Sequence, residues 1–210
     1  MRARLGLVRA AALLLAALPG LAGCASTGVG APVDNSPTLA ATTNPPGTSM
    51  DKKTVSLDTI RRQEQALQFT SFDNDAALAI GNRIVEMAKA DKVGVTVDVA
   101  VNRNPLFFHA MAGTSPNNVD WIRRKSNLVN RTGHASFFVH TEAVNAGRDF
   151  DNLPTFDPKD YAAHGGSFPI VVKGTGQVGT ITVSGLAGVD DHAMVVRALK
   201  WYLKADDVAL

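Results

Sequence analysis

The five histidines are the first candidates for chemistry, because an imidazole can exchange protons or hold a metal near neutral pH. They are His109, His134, His140, His164 and His192. No two of them have the one-turn spacing of a helical zinc site, and a single cysteine cannot form a thiolate cluster. Each could also be a half-buried, hydrogen-bonded side chain. The histidines therefore leave ligand binding open and give no zinc motif.

Two histidines have sequence neighbours that favour a binding role. His164 precedes Gly165 and Gly166, where bare backbone would let a ligand or a neighbouring subunit come close. His192 follows two aspartates, including Asp190. These carboxylates could orient its ring or simply cap the backbone amides of a helix. Both histidines are retained as candidate ligand-binding residues.

His109 is a third candidate because its neighbours are apolar. It follows Phe107 and Phe108 and comes shortly before Met111. Such a setting would suit one face of a haem, and it would equally suit ordinary packing in a hydrophobic core. The pattern leaves both interpretations open.

A cationic cluster lies between the histidines in the sequence, at Arg123, Arg124, Lys125 and Arg131. At 100° per residue, Arg124 and Arg131 share one helix face with Asn127, and this face could hold two carboxylates or phosphates. A solvated helix face explains the same charges more simply. No Ser-His-Asp order, paired-acid motif or phosphate loop marks a catalytic site, so the question of enzymatic activity stays open.

Hydrophobic periodicity predicts the elements that must position these residues. Four helices and four strands are expected: helices at 57–69, 74–90, from Asn117 or Asn118 to 132, and 191–204, and strands at 93–102, 105–111, 168–173 and 178–184. The order is helix, helix, hairpin, helical segment, hairpin, helix, with 134–166 unassigned. This order predicts an α+β domain with an antiparallel sheet.

Four local features of these elements are also predicted. The valines of strand 93–102 alternate with smaller or polar residues, which indicates a strand buried on one face. Strand 105–111 has apolar residues on both faces, so helices or another subunit should cover both. Gly174, Gly176 and Gly179 match a dinucleotide fingerprint in spacing, but a strand follows them, so a hairpin turn is expected. Asp190 is the expected cap of the last helix.

The first 50 residues are predicted to be a lipoprotein leader and a linker. Residues 1–23 join three arginines to a short apolar core, the layout of a signal peptide. Small residues then lead into Cys24, the expected site of lipidation and hence of membrane attachment. Ala25 rather than aspartate follows, which favours the outer membrane of the cell envelope where there is one. Residues 24–50 are rich in Pro, Gly, Ser and Thr and are expected to be a disordered tether for the domain at 51–210.

The net charge of the chain changes sign once this leader is removed. The 210 residues include 21 Lys and Arg against 19 Asp and Glu. Three of the arginines belong to residues 1–23, which contain no acidic residue, so the mature chain has 18 basic and 19 acidic side chains. A net charge of −1 provides no electrostatic attraction to nucleic acid, and no such partner is expected.

Three segments of the chain resemble one known superfamily. They are 118–125, which contains Asp-Trp-Ile-Arg-Arg-Lys, 157–170, which contains His-Gly-Gly-Ser-Phe-Pro-Ile, and 179–185 with the Asp191-His192 pair that follows. They are similar to the GlcG/HbpS-like, haem-degrading-domain superfamily, and closest to its uncharacterised branch with these two signatures. The resemblance covers about 57–204. It implies an antiparallel sheet flanked by helices in profilin-like layers, symmetric homo-oligomers, and haem binding or breakdown.

The resemblance supports two hypotheses from different classes. In the first, an envelope-tethered domain binds haem and assists haem or iron handling, with a histidine as axial ligand and Arg124 or Arg131 meeting the propionates. In the second, the domain is a non-catalytic oligomeric scaffold that binds a partner or a small ligand. The signature residues would then serve packing or the subunit interface, and these are Trp121, Gly165, Gly166 and Phe168.

Overall fold

The computed structural model describes residues 55–210, so the predicted signal peptide, the predicted lipidation site Cys24 and the predicted linker lie outside the described residues. Within 55–210 there are five α-helices, one short 3-10 helix at Phe150–Asn152 and four strands. The helices are α1 (Leu57–Ala66), α2 (Asn74–Ala90), α3 (Pro116–Thr132), α4 (Ser136–Asn145) and α5 (Gly188–Leu203). The strands are β1 (Thr96–Val101), β2 (Asn104–Ala110), β3 (Ser167–Val172) and β4 (Gly176–Ser184).

The four strands form one antiparallel sheet in the order β2-β1-β4-β3. Two tight turns make the two hairpins. Asn102 and Arg103 have positive φ between β1 and β2, and Gly174 and Gly176 have positive φ between β3 and β4. The α+β class and both hairpins are therefore confirmed. Gly174 and Gly176 serve a turn as expected, whereas Gly179 lies within β4.

The two faces of the sheet differ in polarity. Val97 and Val99 of β1 and Val183 of β4 belong to the main hydrophobic core, together with buried residues of α2 and α5. The opposite face carries buried polar side chains such as Thr96, Asp98 and Thr182, and helix α3 packs over it. Helices therefore cover both faces, and the polar layer beneath α3 is where unusual chemistry can be expected. None of the helices in the described part is long and apolar enough to cross a membrane.

One expectation about strand burial is wrong, and for β2 the helices do not supply the expected cover, so that cover by another subunit stays a prediction. Strand β1 is buried on both faces rather than one, since α3 covers the side that carries Thr96 and Asp98. Strand β2 is an exposed edge strand, and Phe108 is 49% exposed. His109 is exposed as well, so the apolar surroundings expected for it are absent. The reason is the strand order, which leaves β2 with a single neighbouring strand.

Helix ends agree with the sequence where a capping residue is local. Helix α2 has both predicted ends, and the Asp73 carboxylate accepts from the Ala76 amide at its start. Helix α1 ends at Ala66, three residues early, because Phe69 pairs with Val172 instead. Helix α3 begins after Ser115, one turn before the predicted cap.

Helix α5 also starts earlier than predicted. Its N-cap is Ala187, so Asp190 lies inside the first turn and does not cap the helix. This earlier start places Asp191 in the first turn of α5, where it faces the polar side of the sheet rather than solvent.

The stretch 134–166, which the sequence left unassigned, contains helix α4, and the apolar residues of α4 pack near β3.

Candidate functional site

A small cavity lies where helix α3 meets the start of helix α5, and we call it the Lys125 pocket. Its volume is about 230 Å³. Helix α3 contributes Asn118, Trp121 and Lys125, and the loop before β3 contributes His164. The end of β4, the start of α5 and the connection between them contribute most of the other lining residues. The three segments that carried the resemblance, far apart in sequence, therefore meet at one cavity.

A buried ion pair forms the floor of the Lys125 pocket. Lys125 Nζ lies 2.8 Å from Asp191 Oδ2 and donates a second hydrogen bond to the Val183 carbonyl at 3.2 Å. Both side chains are almost fully buried, at 4% and 1% exposed. The other carboxylate oxygen, Asp191 Oδ1, accepts from the Leu186 amide at 3.0 Å. The pair thus joins α3, β4 and α5 at one point.

Burial shifts the pKa of each partner in the direction that favours its neutral form. Desolvation lowers the pKa of Lys125 and raises the pKa of Asp191, and their mutual attraction opposes both shifts. A buried pair of this kind in a cavity is a common feature of functional sites. Sequence reasoning treated Lys125 only as one member of a charge cluster and missed Asp191 as a site residue, since the two are 66 positions apart.

The two glycines after His164 are required by close backbone contacts, Gly165 with α5 and Gly166 with β4. A Cβ at Gly165 would lie 1.9 Å from the Gly188 carbonyl oxygen. A Cβ at Gly166 would lie 2.4 Å from the Val183 carbonyl oxygen, and Gly166 has φ +121°. The close approach expected at this pair is present, but the approaching group is the same chain rather than a ligand or a neighbouring subunit.

His164 lies at the mouth of the pocket and is 43% exposed. Its ring meets Trp121 edge to face at a centroid distance of 4.9 Å, and the His140 ring is 6.0 Å away. Its Nε2 atom is 3.8 Å from Asp151 Oδ2, too long for a hydrogen bond. Partial burial lowers the pKa of His164, and the nearby Asp151 charge opposes this. The lowered pKa favours the neutral imidazole, the form that can act as a ligand.

On its other side His164 borders a larger, more apolar cavity, which we call the His164 groove. Its volume is about 460 Å³, and Phe137, Val144 and Val189 supply apolar walls beside His140. Helix α4 provides half of the lining residues, and α4 lies in the stretch that the sequence left unassigned. His140 was therefore missed as a neighbour of His164.

The arginines on the predicted cationic face of α3 contact other side chains of the protein. Arg124 Nε donates to Asp120 Oδ2 at 2.7 Å, and its guanidinium lies over the Trp121 ring at 4.0 Å. Arg131 stacks over Phe156 and Tyr161 at 4.7 and 5.1 Å. Arg124 is therefore engaged by Asp120, whereas Arg131 is in contact only through the face of its guanidinium. Both side chains keep access to solvent, so anion binding by this helix face stays a prediction.

The two long signature segments are joined by hydrogen bonds. Arg123 NH1 donates to Asp160 Oδ1 at 3.0 Å, and Asn127 Nδ2 donates to the Asp160 carbonyl at 3.1 Å. The Ala162 amide returns a bond to the Arg124 carbonyl. The loop before His164 is thus fixed along α3, which explains why these segments position one histidine at the pocket.

The remaining candidates lie elsewhere. His192 is a core residue, 2% exposed, whose Nε2 bonds Gln63 Oε1 at 2.9 Å. Burial lowers its pKa to about 4. An external ligand could reach it only if the core opened. His109 is on the outer strand, and two strands separate it from β3 at the other edge. Phe168 is buried in the core at 1% exposed, so it serves packing and not a surface interface.

No cluster of three or more His, Cys, Asp or Glu side chains within residues 55–210 could hold a metal ion directly. The arrangement instead combines a half-exposed imidazole, a polar pocket with a buried ion pair, and an apolar groove. Such a combination on a helix-covered antiparallel sheet is typical of sites that bind small ligands.

Comparison with known proteins identifies the family. The family described as haem degrading protein HbpS-like matches residues 72–200. A UPF0303 protein of Azotobacter vinelandii is 43% identical over 148 residues, which cover 70% of this chain and 89% of the relative. One from Streptomyces coelicolor is 42% identical over 144 residues, covering 69% and 91%. The chain belongs to the HbpS-like family, as the signature segments predicted.

Solved structures agree on the fold. The Ybr137w protein matches with a TM-score of 0.65 and 27% identity, over 70% of this chain and 88% of that one. A double mutant of Streptomyces reticuli HbpS matches with a TM-score of 0.51 and 25% identity, over 65% and 89%. A PduOC:heme complex, at 17% identity, 62% and 93% coverage and a TM-score of 0.52, shares the fold alone.

Proposed function

We propose that this domain binds haem in the His164 groove, with His164 as the iron ligand. The observation that carries the proposal is a half-exposed, neutral imidazole on the edge of an apolar groove. Haem proteins commonly use a histidine ligand in such surroundings. The description of the family as haem-degrading supports the same function.

The residues present fit a haem in chemical type. His164 supplies a nitrogen, and Phe137, Val144 and Val189 supply apolar surface for the porphyrin face. A bound haem would supply redox-active iron, and the protein would determine its access and ligation. Whether the domain then assists haem breakdown or only holds haem depends on the groove's exposure to oxidant and water.

Haemin titration of the purified full chain tests this proposal. We expect a saturable Soret shift that His164→Ala weakens by at least about tenfold, since the iron loses its protein ligand. His109→Ala is the matched control, because it removes an exposed histidine on the opposite edge of the sheet. Equal binding by the wild type and the His164→Ala variant would reject His164 as the ligand.

We also propose that the domain is tethered to the bacterial envelope through an acylated Cys24. The basic start, short apolar core and small residues before Cys24 support this. A diacylglycerol on the sulfur together with an amide-linked acyl chain would give stable membrane attachment, since one chain alone binds only marginally.

Radiolabelled palmitate fed to cells that express the full chain tests the tether. We expect label in the wild type and none in Cys24→Ser, which should also move from the membrane fraction to the soluble fraction. Ser26→Ala, close to the same site, should remain labelled. Absence of label from the wild type would contradict the proposal.

A second candidate function is an oligomeric scaffold or partner-binding module at the envelope. The exposed edge strand β2 favours it, because unpaired strand edges with apolar side chains such as Phe108 are suited to pairing with another chain. Sedimentation and haemin titration of the wild type and a β2 variant distinguish the two functions. If pairing of β2 builds the assembly, Phe108→Asp should dissociate it with no change in haem binding.

A further inference from the structure

We propose that the Lys125 pocket is a binding site for a small carboxylate, distinct from the adjoining His164 groove although His164 borders both. The proposal depends on hydrogen-bond donors at the pocket floor that the described part of the protein leaves unused. It also depends on the size of the cavity and on the charge balance around it.

Three side chains lining the pocket have donor capacity to spare. The Lys125 ammonium has three N–H donors, and two described acceptors, the Val183 carbonyl and Asp191, engage it. The Ser184 hydroxyl receives a contact from Asn118 Nδ2 at 3.4 Å, and within residues 55–210 its own hydrogen has no acceptor. The Asn118 amide reaches the Ser184 carbonyl only at 3.4 Å, which is a weak bond.

The acceptors at the same floor are already engaged. Asp191 Oδ2 accepts from Lys125, and Asp191 Oδ1 accepts from the Leu186 amide. A ligand that completes the pocket must therefore bring acceptor atoms rather than donors. A carboxylate brings two oxygens, and hydrogen bonds to a charged acceptor are the stronger kind.

The charge and the volume of the Lys125 pocket further limit the class of ligand that it could bind. Lys125 and Asp191 together are neutral, and the Arg124 guanidinium on the Trp121 ring is itself paired with Asp120. These ion pairs leave no uncompensated negative charge among them that would repel a carboxylate. The volume of about 230 Å³ is below the roughly 300 Å³ at which pockets for drug-sized ligands begin. A carboxylate of two to four carbons fits these limits.

The indole of Trp121 provides a direct probe of the pocket. The chain has two tryptophans, and Trp201 is on the far end of α5, half exposed. In the full chain carrying Trp201→Phe, Trp121 fluorescence is titrated without haem against acetate, lactate and succinate. Acetamide, lactamide and succinamide are the neutral counterparts, and chloride keeps the ionic strength constant. We expect a saturable change with at least one carboxylate and none with its amide.

Substitutions in the same background locate the response. Ser184→Ala should weaken binding about tenfold, because a donor to a charged oxygen is removed. Ser126→Ala, one position from Lys125 but with its hydroxyl bonded to the Arg123 carbonyl, should leave binding unchanged. The double variant Lys125→Met with Asp191→Asn removes both charges together and should abolish binding while the protein stays folded.

Three results would overturn the proposal. They are an equal response to acid and amide, a response that follows ionic strength alone, and undiminished binding in the double variant. Haemin titration of the Ser184→Ala variant separates this site from the proposed haem site. If haem binding is intact while carboxylate binding is lost, the two sites are distinct, and failure of either one leaves the other standing.

Discussion

Replacing Lys125 by methionine is expected to lower the free energy of unfolding by about 3–5 kcal/mol, among the largest effects of any single substitution in this domain. Methionine fills much the same volume, so little packing is lost. The Asp191 carboxylate, however, would remain 1% exposed without its cation. An uncompensated buried charge is strongly destabilising, whereas the intact pair adds little net stability. Urea unfolding followed by circular dichroism at pH 7 measures the difference.

The paired substitution shows whether the uncompensated charge is the cause. With Lys125→Met and Asp191→Asn together no charge is buried, and the asparagine oxygen can still accept from the Leu186 amide. Most of the lost stability should then return. Lys89→Met, at an exposed position at the end of α2, should stay within about 0.5 kcal/mol of the wild type. A double variant as unstable as the single one would show that Lys125 acts through packing instead.

The contrast between α2 and β2 shows how far local sequence determines this fold. Both ends of α2 could be predicted because its cap, Asp73, and its apolar spacing are local. The exposure of β2 could not, because its apolar residues look the same whether the strand is central or at an edge. Only the order β2-β1-β4-β3, set by pairings between distant segments, decides that.

The residues of the candidate site likewise divide into those that the sequence could single out and those that it could not. His164 and the two glycines after it could be singled out because their types are unusual in sequence. Lys125 could not, since a lysine beside two arginines looks like a solvated face until its burial by β4 and α5 is known. His140 was missed because helix α4 has a weak periodicity and no capping side chain. The signature segments contain residues of the candidate site, and long-range contacts determine which of those residues face the cavity.

Two buried titratable groups should give opposite pH dependences that nearly cancel in the wild-type protein. Burial lowers the pKa of His192 to about 4 from 6.5, and burial raises the pKa of Asp98 to about 6 from 3.8. Between pH 4 and 6.5 the unfolded chain binds a proton at His192 that the folded chain does not, so His192 makes stability rise with pH. Between pH 3.8 and 6 the folded chain holds a proton at Asp98 that the unfolded chain has lost, so Asp98 makes stability fall with pH.

Removing one group at a time should separate the two contributions. Each amounts to about 3 kcal/mol over its window, at 1.36 kcal/mol per pKa unit. Asp98→Asn should therefore stabilise the protein at pH 7 by up to about 3 kcal/mol and leave a profile that falls steeply on acidification. Within the described residues the Asp98 carboxylate accepts no hydrogen bond, so asparagine loses no partner.

His192→Gln should show the reverse profile. The glutamine amide can still donate to Gln63 Oε1, as His192 Nε2 does, and it places no bare ring nitrogen where His192 Nδ1 now lies buried without a partner in the described part of the chain. Stability relative to the wild type should then increase as the pH falls from 6.5 to 4. Urea unfolding at half-unit pH steps measures both differences against the wild type, so the other titrating groups cancel. Parallel profiles for the wild type and both variants would mean that neither group titrates differently on folding, and that the cost of burying Asp98 is met by solvent reaching its carboxylate.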